Sequence, residues 1–504
     1  MEINVQRGDI TNHPAKAIIV ALYEGTAPTG PTAAVDQRLE GAISQLVKDG
    51  EARGKANELT LLHTFWRIPS PRVLVLGLGK AEECNLEKLR NAVAVAVRHL
   101  RSLGVDTIAT VTHGADAQGL DPEACAQAIV EGAVLGLYTF QRHKKKDEDT
   151  REISEITLVE REATKLRALR RGVERGRILA EAANWARDLA NEPANYMTPS
   201  DMAERAKAIA AERGLEFQVF ERKDMEKMGM GALLGVAQGS HQPPKLIVLH
   251  YRGGKEGATP LGLVGKGITF DTGGISIKPS QGMEEMKSDM AGGAAVIAAM
   301  SAIAQIKPKI NVTALVPATE NMPGGGAQKP GDVVRALNGK TIEVINTDAE
   351  GRLILADALS YACRLGLSPI VDVATLTGAI VIALGRAAMG AMTNNEAFLD
   401  RLRAASQASG EKLWQLPMYD EYKEHIKSEV ADVKNVGNRE AGSITGALFL
   451  QEFVDNTPWV HLDIAGVDQA EKEKGVLVKG SSGIPVRTLV NLALSLAQKP
   501  LPKK

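Results

Sequence analysis

Aromatic side chains are scarce in this sequence, 4% of 504 residues, which removes most of the ring platforms on which single-strand nucleic-acid binders stack bases. Net charge is nearly absent too. The 60 basic and 61 acidic residues leave −1 at pH 7, so no bulk field recruits nucleic acid or an anionic membrane. Cys84, Cys125 and Cys363 are the only cysteines, far apart and outside any CxxC spacing. That pattern argues against a disulfide framework and a cysteine zinc site, and fits a reducing, cytoplasmic setting. Long apolar runs are missing as well. The first nine residues carry charges and no apolar core, unlike a secretory signal. The longest uncharged helical run, residues 290–306, falls short of the roughly 20 residues that span a bilayer and reads as a buried helix, so no membrane is expected as partner. None of the nine histidines belongs to an HExxH, and no Gly-x-Ser-x-Gly elbow occurs. Zincin and serine-hydrolase chemistry are therefore disfavoured.

At this length a single core normally stops growing, so two domains are expected. In the first third of the chain, β-rich runs at 16–20, 72–78, 107–111 and 155–159 alternate with helical stretches at 33–48, 86–103 and 122–138, the pattern of an α/β domain. The polar, mixed-sign stretch 142–149 suits an exposed loop. A helical pattern over 163–190 carries Lys165, Arg167, Arg170, Arg171, Arg175 and Arg177, but Glu174 and Glu181 are interleaved. It reads as a connecting helix with a solvated face rather than a nucleic-acid surface. Beyond Pro199, strands are expected at 216–220, 246–250, 261–264, 310–316, 341–345, 370–373 and 459–464, with helices at 202–213, 291–305 and 353–365. This is a second, larger α/β domain with a mostly parallel sheet flanked by helices. The expected division is an N-terminal α/β domain over 1–162, the connecting helix over 163–190, and a catalytic domain over 191–504.

Ligands in such sheets are held in loops beyond the carboxyl ends of strands. Lys266 follows the strand at 261–264, Asp271 comes just before Thr272-Gly273-Gly274, and Asp348, Glu350 and Arg352 follow the strand at 341–345. Lys278 and Asp289 lie in the connection between the Lys266 strand and the buried helix that begins at Ala291. Spaced two apart, Asp348, Glu350 and Arg352 are expected on one side of an extended segment. The helix that follows anchors them through Leu353, Ala356, Leu359 and Ala362. Four carboxylates with no histidine or cysteine beside them point to an oxygen-rich site for more than one divalent cation. A metal pair about 3.5–4 Å apart lowers the pKa of a shared water and polarises a carbonyl, which favours amide hydrolysis. Taken singly, each carboxylate reads better as a helix cap and each cation as a salt-bridge partner. Taken together, so many charges among glycine runs and apolar strands are costly to bury without a shared purpose. Spacing alone leaves peptidase, phosphatase and nuclease open.

The octapeptide Asn346-Thr347-Asp348-Ala349-Glu350-Gly351-Arg352-Leu353 resembles the signature of the leucyl (cytosol) aminopeptidase family. Further blocks resemble the family's in the same order: 264–274, Lys287-Ser288-Asp289-Met290-Ala291-Gly292-Gly293, Thr319-Glu320-Asn321-Met322-Pro323, Asn191-Glu192-Pro193 with Pro199, and Asn435-Val436-Gly437 with Gly442-Ser443-Ile444-Thr445. The resemblance implies a two-domain homohexamer that cleaves peptides with two divalent ions, zinc or manganese. One ion would take Lys266, Asp271, Asp289 and Glu350, the other Asp271, Asp348 and Glu350. Lys266 can bind metal only as a neutral amine, so its pKa must then fall well below about 10.4. By the same resemblance Lys278 would polarise the scissile carbonyl, Arg352 would hold a bicarbonate acting as general base, and Asp289 would receive the substrate's α-amino group. Met286, Thr375 and Leu376 match the pocket for the first side chain, where apolar lining would favour leucine or methionine; Met286 and Leu376 serve equally well as core residues. The first domain carries no block of the family. The alternative is a DNA-binding or scaffolding hexamer with incidental peptidase activity, against which the neutral charge and the scarce aromatics weigh.

Overall fold

The computed structural model describes residues 1–115, 119–145 and 151–501. They form two compact units, Met1–Glu181 with Glu471–Lys479, and Ala182–Ala470 with the chain from Gly480 onward. The division falls inside one helix, Leu166–Asn191. Within the first unit, Glu471–Lys479 is held by Arg98 Nη1 donating to Gly475 O at 2.7 Å and Val476 N donating to Asn91 Oδ1 at 3.0 Å. Of the polar loop expected over 142–149, the part beyond Lys145 lies outside the described residues.

The first unit is built on β1 (Glu2–Arg7), β2 (Ala17–Leu22), β3 (Leu59–His63), β4 (Arg72–Gly77), β5 (Thr107–Thr110) and β6 (Glu155–Glu160), in the order β1-β6-β5-β2-β4-β3. All pairs are parallel except β3 with β4. The inner strands β2 and β4 are continuous apolar runs, as strands buried on both faces must be. Both strands absent from the sequence expectation, β1 and β3, are sheet edges, where partial exposure leaves no continuous apolar run. The single helix expected over 33–48 is two, Gly30–Arg38 and Ala42–Lys48. Glu40 and Gly41 break it with φ of 56° and 84°. Asp36 then turns its carboxylate onto Ile43 N (2.7 Å) and Ser44 N (3.1 Å), satisfying the start of the second helix.

The second unit carries a large mixed sheet of β7 (Glu216–Phe220), β8 (Lys245–Arg252), β9 (Leu261–Gly265), β10 (Gly267–Asp271) and β11 (Asn311–Asn321), continued by strands from its C-terminal half. Next along the chain, β12 (Val333–Arg335) and β13 (Thr341–Glu343) leave this sheet and form a small one with a later strand. The large sheet resumes with β14 (Ile370–Ala374), β15 (Met389–Thr393) and β16 (Leu413–Gln415); β17 (Val433–Lys434) completes the small sheet, and β18 (Trp459–Asp463) returns to the large one. Its order is β16-β15-β18-β14-β9-β11-β8-β7, with β10 pairing β11 alone. Parallel pairs predominate, and β9 lies between β14 and β11 at the centre.

Two helices frame the central strands. One is Ala291–Ile306, buried from Ala291 through Ala304. The stretch Met283–Ile306 is apolar enough to cross a membrane, but 89% of its most apolar window is buried, as in a core helix. Gly292 lets its N-terminus reach the strand ends, since a Cβ there would stand 2.2 Å from Val373 O. The other is Glu350–Arg364, in which Leu353, Ala356, Leu359 and Ala362 are all fully buried. The helix expected over 202–213 starts earlier, at Pro199, because Thr198 and Asp201 cap each other: Asp201 N donates to Thr198 Oγ1 at 3.3 Å and Thr198 N to Asp201 Oδ2 at 3.0 Å.

Candidate active site

Lys266 directly follows β9, its N–H donating to Val373 O (2.9 Å) and its carbonyl accepting from Gly293 N (2.7 Å). Asp271 ends β10, where Oδ1 accepts from Gly273 N at 2.8 Å and from Asn321 Nδ2 at 2.7 Å. Contrary to the spacing expectation, Asp348, Glu350 and Arg352 do not share an extended segment. Asp348 sits in a turn closed by Asp348 N to Asn346 Oδ1 (2.9 Å) and Ala349 N to Asn346 O (3.2 Å), and Glu350 opens a helix. An asparagine side chain that mimics a backbone turn ends the extended run. On the helix each residue then rotates by about 100°, which points Glu350 and Arg352 in different directions.

The carboxylates converge nonetheless. Oxygens of Asp271, Asp348 and Glu350 lie within 4.8 Å of one another. Lys266 Nζ stands 2.8 Å from both Asp289 Oδ2 and Glu350 Oε1, and donates to Thr375 O at 2.9 Å. Lys278 Nζ is 2.7 Å from Asp271 Oδ2 and also meets Asp348 Oδ1. Two glycines make room for this packing. A Cβ on Gly273 (φ 85°) would lie 2.8 Å from Asp348 Oδ1, and one on Gly351 would lie 2.6 Å from Lys266 Cε.

Burial governs the electrostatics. It would lower the Lys266 ammonium, but Asp289, Glu350 and Asp271 around it hold its pKa above the ordinary lysine value. Lys278 is raised in the same way, burial being overcome by Asp271 and Glu350. Burial raises Asp289 well above the usual carboxylate range despite Lys266 beside it, and it raises Glu350, with Asp271 adding to the effect. Burial likewise raises Asp348. The cluster thus holds two more carboxylates than ammonium groups, and its members resist carrying that excess. Glu350 Oε2 is buried without a hydrogen-bond partner among the described residues. An oxygen-only acceptor set with surplus negative charge and an unspent lone pair fits hard or borderline divalent cations.

Arg352 is also buried. Its Nη1 donates to Asn435 O at 2.5 Å, and its Nε has no partner among the described residues. Burial lowers its pKa to about 10, which leaves it a cation at neutral pH. A planar guanidinium with unspent donors is shaped to grip a planar anion.

Thr375, Leu376 and Thr377 follow β14. Thr375 Oγ1 donates to Asp289 Oδ1 at 2.6 Å, while Leu376 N (3.1 Å) and Thr377 Oγ1 (2.6 Å) donate to the buried carboxylate of Asp463. Leu376 is half-buried and packs on the main core; Met286, also half-buried, accepts from Asp289 N through its carbonyl at 3.2 Å. All ten residues singled out from sequence lie in the second unit. Three others that bear on the site, Asn321, Asn435 and Asp463, had no role in the sequence reading, although the two asparagines stand in blocks quoted there. On the basic helix Arg177 pairs with Glu174 and Glu181 of the same helix, and Arg171 with Glu123 of the helix Pro122–Gly136.

A model of the cytosol aminopeptidase family's catalytic domain matches residues 184–490, and one of its N-terminal domain matches residues 19–147. The chain belongs to the cytosol aminopeptidase family. A "Probable cytosol aminopeptidase" of Solibacter usitatus is 52% identical over 499 residues, covering 98% of this chain and 99% of that protein. Among solved structures, a tomato leucine aminopeptidase mutant matches with a TM-score of 0.88 and 34% identity over 98% of this chain and 96% of that one. The bottromycin maturation enzyme BotP in complex with Mn matches at 0.85 and 34%, covering 96% and 100%. The chain is therefore an aminopeptidase, a hydrolase with the family's two-domain α/β fold. Its first unit, which carried no recognisable motif, contains the family's N-terminal domain.

Proposed function

We propose that this aminopeptidase removes leucine and other apolar residues from the N-termini of peptides, using two divalent cations, Mn²⁺ or Zn²⁺. Lys266, Asp271, Asp289 and Glu350 would hold one, and Asp271, Asp348 and Glu350 the other. The observation that carries this reading is the surplus of buried carboxylate at one point, with Glu350 Oε2 lacking a partner among the described residues. The manganese named with BotP supports Mn²⁺ as one occupant. When bound, such cations lower the pKa of a shared water and polarise the scissile carbonyl.

The protein's own groups divide the remaining work. Lys266 would serve as a ligand only after losing its proton, which nearby divalent cations favour and the carboxylates alone oppose. Lys278, 2.7 Å from Asp271 Oδ2, presents its charge to the oxyanion that develops on the carbonyl. Asp289 receives the free α-amino group, which restricts cleavage to the first peptide bond. Arg352 holds a bicarbonate ion, whose part is that of a general base. Met286, Thr375 and Leu376 line the pocket for the first side chain, and the two half-buried apolar residues favour leucine or methionine there. The relatives' name supports action on peptides in the cytosol, and the homohexamer rests on the family resemblance.

Metal-free protein reconstituted with Mn²⁺ or Zn²⁺ and assayed on a panel of aminoacyl substrates tests reaction and preference together. Leucyl and methionyl substrates should be cleaved fastest, and added chelator should abolish turnover. Failure to release free leucine at any metal concentration would overturn the reading, and light scattering tests the hexamer.

A further inference from the structure

We propose that Asn435 is a positioning residue of the active site, one buried amide that sets the turn carrying Asp348. Asn435 is fully buried and directly follows β17, which pairs in parallel with β13. Its N–H donates to Glu343 O at 2.9 Å, extending that pairing by one residue. Beyond this point the backbone ladder stops and the side chain continues it: Oδ1 accepts from Ile345 N at 2.9 Å, and Nδ2 donates to Asn346 O at 2.7 Å. These bonds define the entry of the chain into the turn that presents Asp348. The far side of the turn is held separately, by Asn321 Nδ2 to Thr347 O (3.0 Å) and Thr347 Oγ1 to Gly273 O (2.7 Å). Without the Asn435 amide the entry side of the turn loses these ties, while the far side keeps its own, which include Ser276 N to Thr347 Oγ1 (2.8 Å), Thr347 N to Ser276 Oγ (3.2 Å) and Lys278 on Asp348. The carbonyl of Asn435 also accepts from Arg352 Nη1 at 2.5 Å, so one residue registers the Asp348 turn against the guanidinium on the neighbouring helix.

The proposal rests on the reading of Asp348 as a metal-holding carboxylate, and the test separates the two. Calorimetric titration of Mn²⁺ into metal-free, full-length protein is compared for wild type, Asp348→Asn, Asn435→Ala, the milder Asn435→Ser, and Thr488→Val. Thr488 is buried and donates through Oγ1 to Glu411 Oε2 at 2.6 Å, so its loss destabilises the fold through a different buried hydrogen bond. Groups that orient a metal ligand typically cost about 10–100-fold in metal affinity when removed. Asn435→Ala should weaken Mn²⁺ binding by that factor, Asn435→Ser should do so less, and Thr488→Val should lower Tm while binding as wild type does. Wild-type affinity in both Asn435 variants, with Asp348→Asn weakened, overturns the positioning role and leaves the metal reading standing. Equal weakening in Thr488→Val also overturns it, because general destabilisation then accounts for the loss. Unchanged binding in Asp348→Asn overturns the metal reading and this proposal with it. If Asn435→Ala does not fold, Asn435→Ser decides alone.

Discussion

Replacing Gly351 by alanine isolates the contribution of Lys266 placement from that of fold stability. The new Cβ would stand 2.6 Å from Lys266 Cε and 2.8 Å from Nζ, with Cδ at 3.0 Å. Non-bonded carbons sit at about 3.5–4.0 Å, so the lysine chain must retreat by about 1 Å. Its three ties, 2.8 Å to Asp289, 2.8 Å to Glu350 and 2.9 Å to Thr375 O, leave no slack for that movement. A 1 Å misplacement in an active site costs about 10²-fold in rate, or about 2.7 kcal/mol of transition-state stabilisation. Stability should move little: the atoms that must yield are the far end of one flexible side chain, and alanine in the first helical turn gains at most part of its interior advantage over glycine of about 0.8–1.0 kcal/mol. The expected result is kcat/KM on a leucyl substrate down by about two orders of magnitude, with Tm close to wild type. Wild-type kcat/KM in Gly351→Ala would refute the reasoning, as would an activity loss that merely tracks the fraction unfolded.

Three further outcomes are expected. Lys278→Ala should lower kcat by about 10²–10³-fold with KM changed far less, because a cation aimed at a developing oxyanion acts mainly in the transition state; steady-state kinetics at saturating Mn²⁺ decides this. Thr377→Val removes the 2.6 Å bond to Asp463 that anchors the Thr375–Leu376 segment. It should narrow the preference for leucyl over alanyl substrates, and an unchanged ratio of kcat/KM values counts against Leu376 as pocket lining. Asp357 is buried and accepts from Leu233 N and Leu337 N, each at 2.8 Å, and burial raises its folded pKa from 3.8 to about 7. The folded state thus binds this proton more tightly, so the contribution is full below about pH 4 and is lost as pH rises through about 7. In urea denaturation the advantage of wild type over Asp357→Asn should therefore shrink between pH 5 and pH 8, and a constant difference would contradict the raised pKa.

The charged half of the site was legible in sequence because its chemistry tolerates few substitutes. A surplus of carboxylates after strands, a lysine beside them and glycines where backbones meet can be counted without a fold. The geometry that joins them was not. Reading Asp348, Glu350 and Arg352 as one extended face failed because Asn346 closes a turn through its own side chain, a choice that periodicity cannot register. Asn435 escaped for a different reason. It is uncharged, its partner Asn346 lies 89 positions away, and the strand that brings them together, β17, is two residues long. The same holds for β15, whose Met389-Gly390-Ala391-Met392-Thr393 has little β-branching and becomes a strand by pairing with β18. Met286 and Leu376 show the limit most plainly. An apolar residue near a site is core or pocket according to what covers it, and both end half-buried. Composition predicts that two ions of opposite charge will attract, but a neutral amide matters only once its partners are placed. Asn435 therefore stood in a recognised motif with no function attached, and it acquires one only through the two backbone groups it meets in the fold.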